Sequence, residues 1–195
     1  MLEKIQRRII LYLTRFFQVF RIKYYKILST NKKIAGKPKL IQPLLALGPG
    51  TLIFKGKVNL GCYPSPYFFN GYAHLDTRGI NSGIEIGNGT WINNNATIIA
   101  DGAKIIIGKN VLIGYNLNIF TSDFHGLEPE KRLSSDYPKE DVVVGDNVFI
   151  GSNVTILKGS TIGENTVIAN GAIVSGKIPE NVIAGGIPCK VIRFL

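Results

Sequence analysis

Only two histidines occur in the 195 residues, His74 and His125. His125 lies in "NIFTSDFHGLEPEKR", a stretch that begins at Asn118 and also carries Asp123, Glu128 and Glu130. A neutral imidazole can take a proton from a hydroxyl near neutral pH, which suits the making of an ester from an alcohol and a thioester. Such a base needs its ring held in one orientation. Asp123, two residues earlier in an extended segment, would lie on the same side as the ring; Glu128, Glu130 or a backbone carbonyl are the alternatives. His74, in "GYAHLD", reads either as a hydrogen-bonded structural histidine or as part of an acceptor site. Asn116, in "IGYNLNIF", reads either as a turn residue or as a ligand for a sugar, because an amide bonds a hydroxyl in either direction. Cys62 and Cys189 have no metal-ligand spacing, and two histidines cannot supply a three-histidine zinc centre, so no metal is expected.

The elements that must position these groups are written in a period of six. Aliphatic residues recur at Ile86, Ile92 and Ile98, at Ile107, Ile113 and Ile119, and at Val144, Ile150, Ile156, Ile162, Ile168 and Val174. A second small, β-branched or aliphatic residue stands two places before each of them, from Ile84 to Ala172. Six is a multiple of the strand period of two, so both positions can point inward. The intervening Gly, Asn, Asp and Lys suit turns and solvent. A stack of short strands with tight turns buries a column of aliphatics and pairs its backbone from coil to coil. Two departures interrupt the count. Ile98 to Ile107 is nine residues, which predicts a bulge at "ADGA", and Ile119 to Val144 is twenty-five, so nineteen extra residues leave the stack there. His125 stands six residues after Ile119, where the next marker was due.

This hexapeptide pattern resembles the left-handed parallel β-helix of the hexapeptide acyltransferases, whose coils hold three hexapeptides each. A long loop beside a lone histidine, followed by "VFIGSNVTILKGSTIGENTVIANGAIVSGKIPENVIAGGIPCKVIR" over residues 148–193, resembles the galactoside, maltose and polysaccharide O-acetyltransferases. The resemblance implies an all-β fold, a homotrimer with acetyl-CoA in the groove between prisms, and His125 as general base, with loop 126–143 of a neighbour closing the acceptor side. It further implies that Phe149 lies near acetyl-CoA and that the Ser152 backbone N–H meets the thioester oxygen and its oxyanion. The backbone of Asn170 would meet the pantetheine arm, and Lys190 and Arg193 would pair with phosphates. The acceptor expected is a sugar hydroxyl of a surface polysaccharide or its precursor. An amino-sugar N-acetyltransferase is the runner-up, although no glycine-rich βαβ pattern is present to hold a nucleotide. A catalytically inert scaffold is the third reading.

Charge divides the chain differently. Residues 1–39 hold eleven Lys/Arg against Glu3 alone, whereas residues 40–195 hold twelve of each sign, so the net +10 belongs to the leader. A nucleic-acid binder would carry its basic stripe across the folded domain, so no nucleic-acid partner is expected. On a helix over residues 2–28, Leu2, Ile5, Ile9, Tyr12, Leu13, Phe16, Phe20, Tyr24 and Ile27 share one face. Lys4, Arg7, Arg8, Arg15, Gln18, Arg21 and Lys26 lie opposite. Such a helix suits peripheral contact with a membrane surface, or else packs its apolar face on the domain or on a sister subunit. Its charge-free stretches are too short to span a bilayer and do not suit a signal peptide. Residues 31–39 read as a basic linker, residues 40–83 as an irregular first coil or cap, and residues 84–195 as the β-helix. A cytoplasmic protein, peripheral at the inner membrane surface, fits these features and the two unpatterned cysteines.

Overall fold

The computed structural model describes residues 2–195; of the leader's pattern, the side chains of Leu2, Lys4 and Arg7 lie outside the described residues. One helix, α1, spans Leu2–Leu28 as the sequence pattern predicts. The rest is a parallel β-helix whose three faces are sheets of seven, eight and six strands. Each coil contributes one short strand to each face, and equivalent residues pair in register from coil to coil. On the first face, for example, Leu52, Ile84, Ile105 and Val142 stack in one column.

The inward columns form the core. Ile86, Ile92, Ile98, Ile107, Ile119, Ile150, Ile156, Ile168 and Val174 are all at most 1% exposed. The positions two before them are also buried, and where they are hydroxyls they find backbone carbonyls: Thr90 donates to Gly108 O, Ser160 to Val174 O and Thr166 to Pro179 O. A buried hydroxyl satisfied in this way avoids its desolvation cost.

Each tight corner must turn the chain from one face to the next within about four residues, and it does so through residues in the left-handed region. Between the first and second faces these are Asn110, Asn147, Asn165 and Asn181, with φ between 55° and 57°. Asparagine tolerates this conformation better than other residues with a Cβ. The four stack, each amide bonding the next at 3.0–3.4 Å, as Asn110 to Asn147, Asn147 to Asn165 and Asn165 to Asn181.

Three expectations are corrected. Residues 31–39 are not a linker, because Ile34–Ala35 and Lys39–Leu40 already are strands of the first coil. Residues 40–83 are not irregular: Leu44–Leu47, Thr51–Phe54, Asn59–Leu60 and Ala73–Arg78 occupy the same three faces as every later coil. Only the aromatic segment 61–72 leaves the stack there. The weak repeat signal reflects Leu, Phe and Ala in place of the Ile markers. Finally, "ADGA" does not bulge. The strand Thr97–Asp101 runs on beside Ala73–Arg78, pairing Thr77 with Ala100 and Arg78 with Asp101, and the chain then turns at Gly102.

The corner ladder generates a test. Asn147→Ala removes two amide bonds and forces an alanine into the left-handed region, which costs about 1–2 kcal/mol for the backbone alone. Asn147→Gly retains the conformation. Urea unfolding should therefore show the alanine variant to be the less stable of the two.

Candidate active site

The third face ends in a ledge from which the long excursion departs. Phe120 ends the last strand before it, and Thr121 and Ser122 remain buried. One carboxylate holds both ends of the loop. Asp101 Oδ2 accepts hydrogen bonds from Ser122 Oγ at 2.9 Å and from the Tyr137 hydroxyl at 2.8 Å, and Lys139 Nζ lies 4.0 Å from Oδ1. An antiparallel bridge joins Ser122 to Lys139, and Glu140 N donates to Thr121 O. The Tyr137 phenol titrates above its ordinary range, first because it donates to Asp101 and then because burial disfavours the phenolate.

Between these feet the chain makes one strained turn. Phe124 has φ +62°, a conformation that costs a bulky residue on the order of 1–3 kcal/mol. Its ring is fixed from two sides. Phe120 packs edge-on at 5.7 Å, and the Arg78 guanidinium sits 5.0 Å from the ring centroid while Arg78 Nε bonds Asp76 Oδ2 at 2.7 Å. His125 follows directly and is exposed. Gly126 then packs so closely on Lys131 that a Cβ there would lie 2.6 Å from the Lys131 carbonyl oxygen.

That close approach brings the next carbonyl to the histidine. His125 Nδ1 lies 2.9 Å from Arg132 O. A carbonyl only accepts, so Nδ1 carries the proton and Nε2 keeps its lone pair. Asp123 is not the orienting group. Its two carboxylate oxygens lie 3.0 and 2.8 Å from Lys158 Nζ on the following coil, an ion pair that holds the loop to the prism. Of the sequence alternatives, the backbone carbonyl is the one the structure uses.

The remaining site residues lie elsewhere. Ser152 and Asn170 are at the corner between the second and third faces, where Asn170 Oδ1 accepts the Ser152 N–H at 2.7 Å. The amide expected to face a thioester is therefore engaged within the chain. Asn116 stands at the same corner, with φ 61°, in a ladder of its own: Asn95 Nδ2 donates to its Oδ1 at 3.0 Å and its Nδ2 donates to Asn153 Oδ1 at 2.9 Å. It is a turn residue with both amide atoms used, not a free sugar ligand. Phe149 is half-exposed on the outer side of the second face, in register with Leu112 and, one coil further, Trp91. Lys190 and Arg193 are exposed on the terminal strand Lys190–Phe194, which folds back antiparallel on Val182–Gly185. His74 is on the third face, half-buried against Tyr72, and burial lowers its pKa. It lies in the outer column that runs from Leu45 through His74 to Thr97 and Asn118.

The third face thus separates two sets. His125 stands beyond one of its edges, whereas Ser152 and Asn170 stand at the other. Residues missed in the sequence are Asp101, Tyr137, Arg78, Phe124 and Lys158. Only Asp101 had a signal there, the nine-residue interval that lengthens its strand.

Residues 141–176 match the family model "Bacterial transferase hexapeptide (six repeats)". Those residues carry the hexapeptide repeat that the model describes. It is 43% identical to the galactoside O-acetyltransferase of Escherichia coli K12 over 112 residues, 57% of this chain and 54% of that one. A galactoside acetyltransferase solved in complex with coenzyme A is 34% identical, with a TM-score of 0.53, over 72% of this chain and 64% of the other. The hexapeptide-repeat acetyltransferase VCA0836 of Vibrio cholerae O1 biovar eltor, solved with acetyl-CoA, is 25% identical with a TM-score of 0.56, over 94% and 84%. The chain spans about half the length of the curated relatives it matches. These hexapeptide-repeat likenesses give the prism its hand: it is a left-handed β-helix.

The clamp predicts its own failure. Asp101→Asn should leave the prism folded and loosen the loop, so that trypsin cuts at Lys131 and Arg132 faster than in the wild type. Without the carboxylate, the Tyr137 phenol should also ionise at lower pH, which an ultraviolet phenolate titration would detect.

Proposed function

We propose that the chain transfers the acetyl group of acetyl-CoA to a sugar hydroxyl of a surface polysaccharide or its precursor, with His125 as the general base. The observation that carries this reading is the 2.9 Å contact between His125 Nδ1 and the Arg132 carbonyl. It leaves Nε2 as a lone-pair acceptor on an exposed ring, as removal of a hydroxyl proton requires. His125 would take the proton as the hydroxyl oxygen adds to the thioester carbonyl, and return it to the sulfur as the carbon–sulfur bond breaks. The products are the sugar ester and free coenzyme A. Likeness to galactoside O-acetyltransferases supports a sugar hydroxyl in preference to an amine.

Phe149, with its half-exposed ring, and the cationic Lys190 and Arg193 suit the thioester's adenosine-phosphate carrier. Ser152 N–H would serve the carbonyl oxygen once the Asn170 amide turns away. Because Ser152 and Asn170 lie at one edge of the third face, with Phe149, Lys190 and Arg193 on the second face beyond it, whereas His125 lies at the other edge, the reading requires a second copy. In a homotrimer, His125 of one subunit would meet the carrier-binding corner of its neighbour. A cytoplasmic location belongs to the same proposal, and the two free thiols suit a reducing compartment.

His125→Ala should lower turnover by about 10²–10⁴-fold. The measurement is thiol release from acetyl-CoA with a panel of sugars, nucleotide sugars and lipid-linked glycans. Unchanged turnover would remove the histidine from the chemistry, and preferred acetylation of an amino-sugar nucleotide would favour the amine reading. Absence of turnover together with absence of acetyl-CoA binding would favour an inert scaffold. The shared site has a separate test. His125→Ala and Phe149→Asp chains, each inactive alone, should regain part of the activity when co-assembled. Co-assembled trimers as inactive as their parents would place the whole site within one chain.

A further inference from the structure

Helix α1 is docked back to front. Its apolar face does not pack on the domain; its polar side does. Thr14 and Gln18 are buried, and Gln18 Nε2 donates to Phe68 O. The Arg21 guanidinium donates to Phe68 O at 2.9 Å and to Gly71 O at 2.7 Å, so the helix is fastened to the aromatic excursion of residues 61–72. The Tyr25 ring packs at a tilt on that of Tyr72, with centroids 4.8 Å apart. The Ser29 hydroxyl joins the helix end to the prism by accepting Ala46 N at 3.0 Å.

The consequence lies on the other side. Ile9, Tyr12, Leu13, Phe16, Phe20 and Ile27 point away from the prism and are 54–81% exposed. A helix that spends an arginine on loop carbonyls while leaving its aromatic stripe in solvent breaks the ordinary rule of burial, and such breaks mark functional surfaces. Arg8, Arg15, Lys23 and Lys26 are exposed around this stripe. On a 100° projection Arg8, Arg15 and Lys26 flank it along one side, and Lys23 lies within it. Lys32, Lys33, Lys37 and Lys39 continue the charge around the first coil.

We propose that this face is the docking surface for an anionic phospholipid bilayer, on which α1 lies flat with its apolar stripe among the acyl chains and its cations at the headgroups. Charge selects this occupant over a second copy. The leader carries +10, whereas residues 40–195 are neutral, so another subunit offers no net negative charge to receive it. An anionic bilayer supplies both the apolar layer and the counter-charge, each basic residue near its surface adding to the attraction. Among the described residues no helix is long and apolar enough to cross a membrane, so the contact is one of lying on the surface. This inference stands independently of the acetyl-transfer reading.

The test is co-sedimentation of the full chain with phosphatidylglycerol–phosphatidylcholine vesicles and with pure phosphatidylcholine vesicles. Binding should favour the anionic vesicles and weaken with salt. Phe16→Glu/Phe20→Glu and Lys23→Glu/Lys26→Glu should each lower partitioning on the order of tenfold or more. All four side chains are exposed, so far-ultraviolet circular dichroism should be unchanged. A chain that stays in the supernatant with both vesicle types at low salt would overturn the proposal. So would a Phe16→Glu/Phe20→Glu variant that sediments as before but forms a smaller oligomer, because the stripe would then be a subunit seam.

Discussion

The hydrogen bonds between coils are the constraint from which the rest of this structure follows. Each strand pairs in register with the strand of the next coil, and the tight corners turn through left-handed residues, so the stack leaves little room for slippage. Side chains are placed by counting. A residue eighteen places on in the regular part lies one coil further along the same face, as Phe149 and Val167 do. The register also tolerates large insertions at corners. Ile105 pairs with Val142 across the long excursion as directly as Ile84 pairs with Ile105 where no such loop intervenes.

On that frame the loop is held by local chemistry of another kind. The strained backbone at Phe124 persists because its ring is fixed between Phe120 and Arg78, and Arg78 is itself fixed by Asp76. The imidazole next to it is oriented by a carbonyl rather than a carboxylate. No second charge therefore faces the ring through Nδ1, and the ionised Asp123 is taken up by Lys158. Backbone geometry sets the tautomer, and ion pairs set the loop.

The sequence makes the prism legible wherever inward positions are Ile or Val. It fails over residues 34–78 because Leu52, Phe54, Leu60 and Leu75 fill the same columns with a different residue type. His125 is legible as the residue at which the rhythm breaks. Its partner is not, because a carbonyl belongs to every residue and only the fold says which one comes near. Asp123 misleads for a related reason: two residues of separation place it beside the histidine in an extended chain, but the left-handed turn at Phe124 redirects one relative to the other. The leader's pattern shows the helix and its two faces. Which face meets the prism depends on the carbonyls of Phe68 and Gly71, supplied by a loop that the hexapeptide period does not describe.

Both ends of the excursion rest on the single carboxylate of Asp101, which belongs to the prism and not to the loop. Residues 133–136, beyond His125 and the Arg132 carbonyl that orients it, can therefore be lengthened, shortened or rewritten without disturbing either anchorage. A scaffold of this kind separates the part whose register is fixed from the part whose length is free. That stretch can be exchanged while the stack beneath keeps its register.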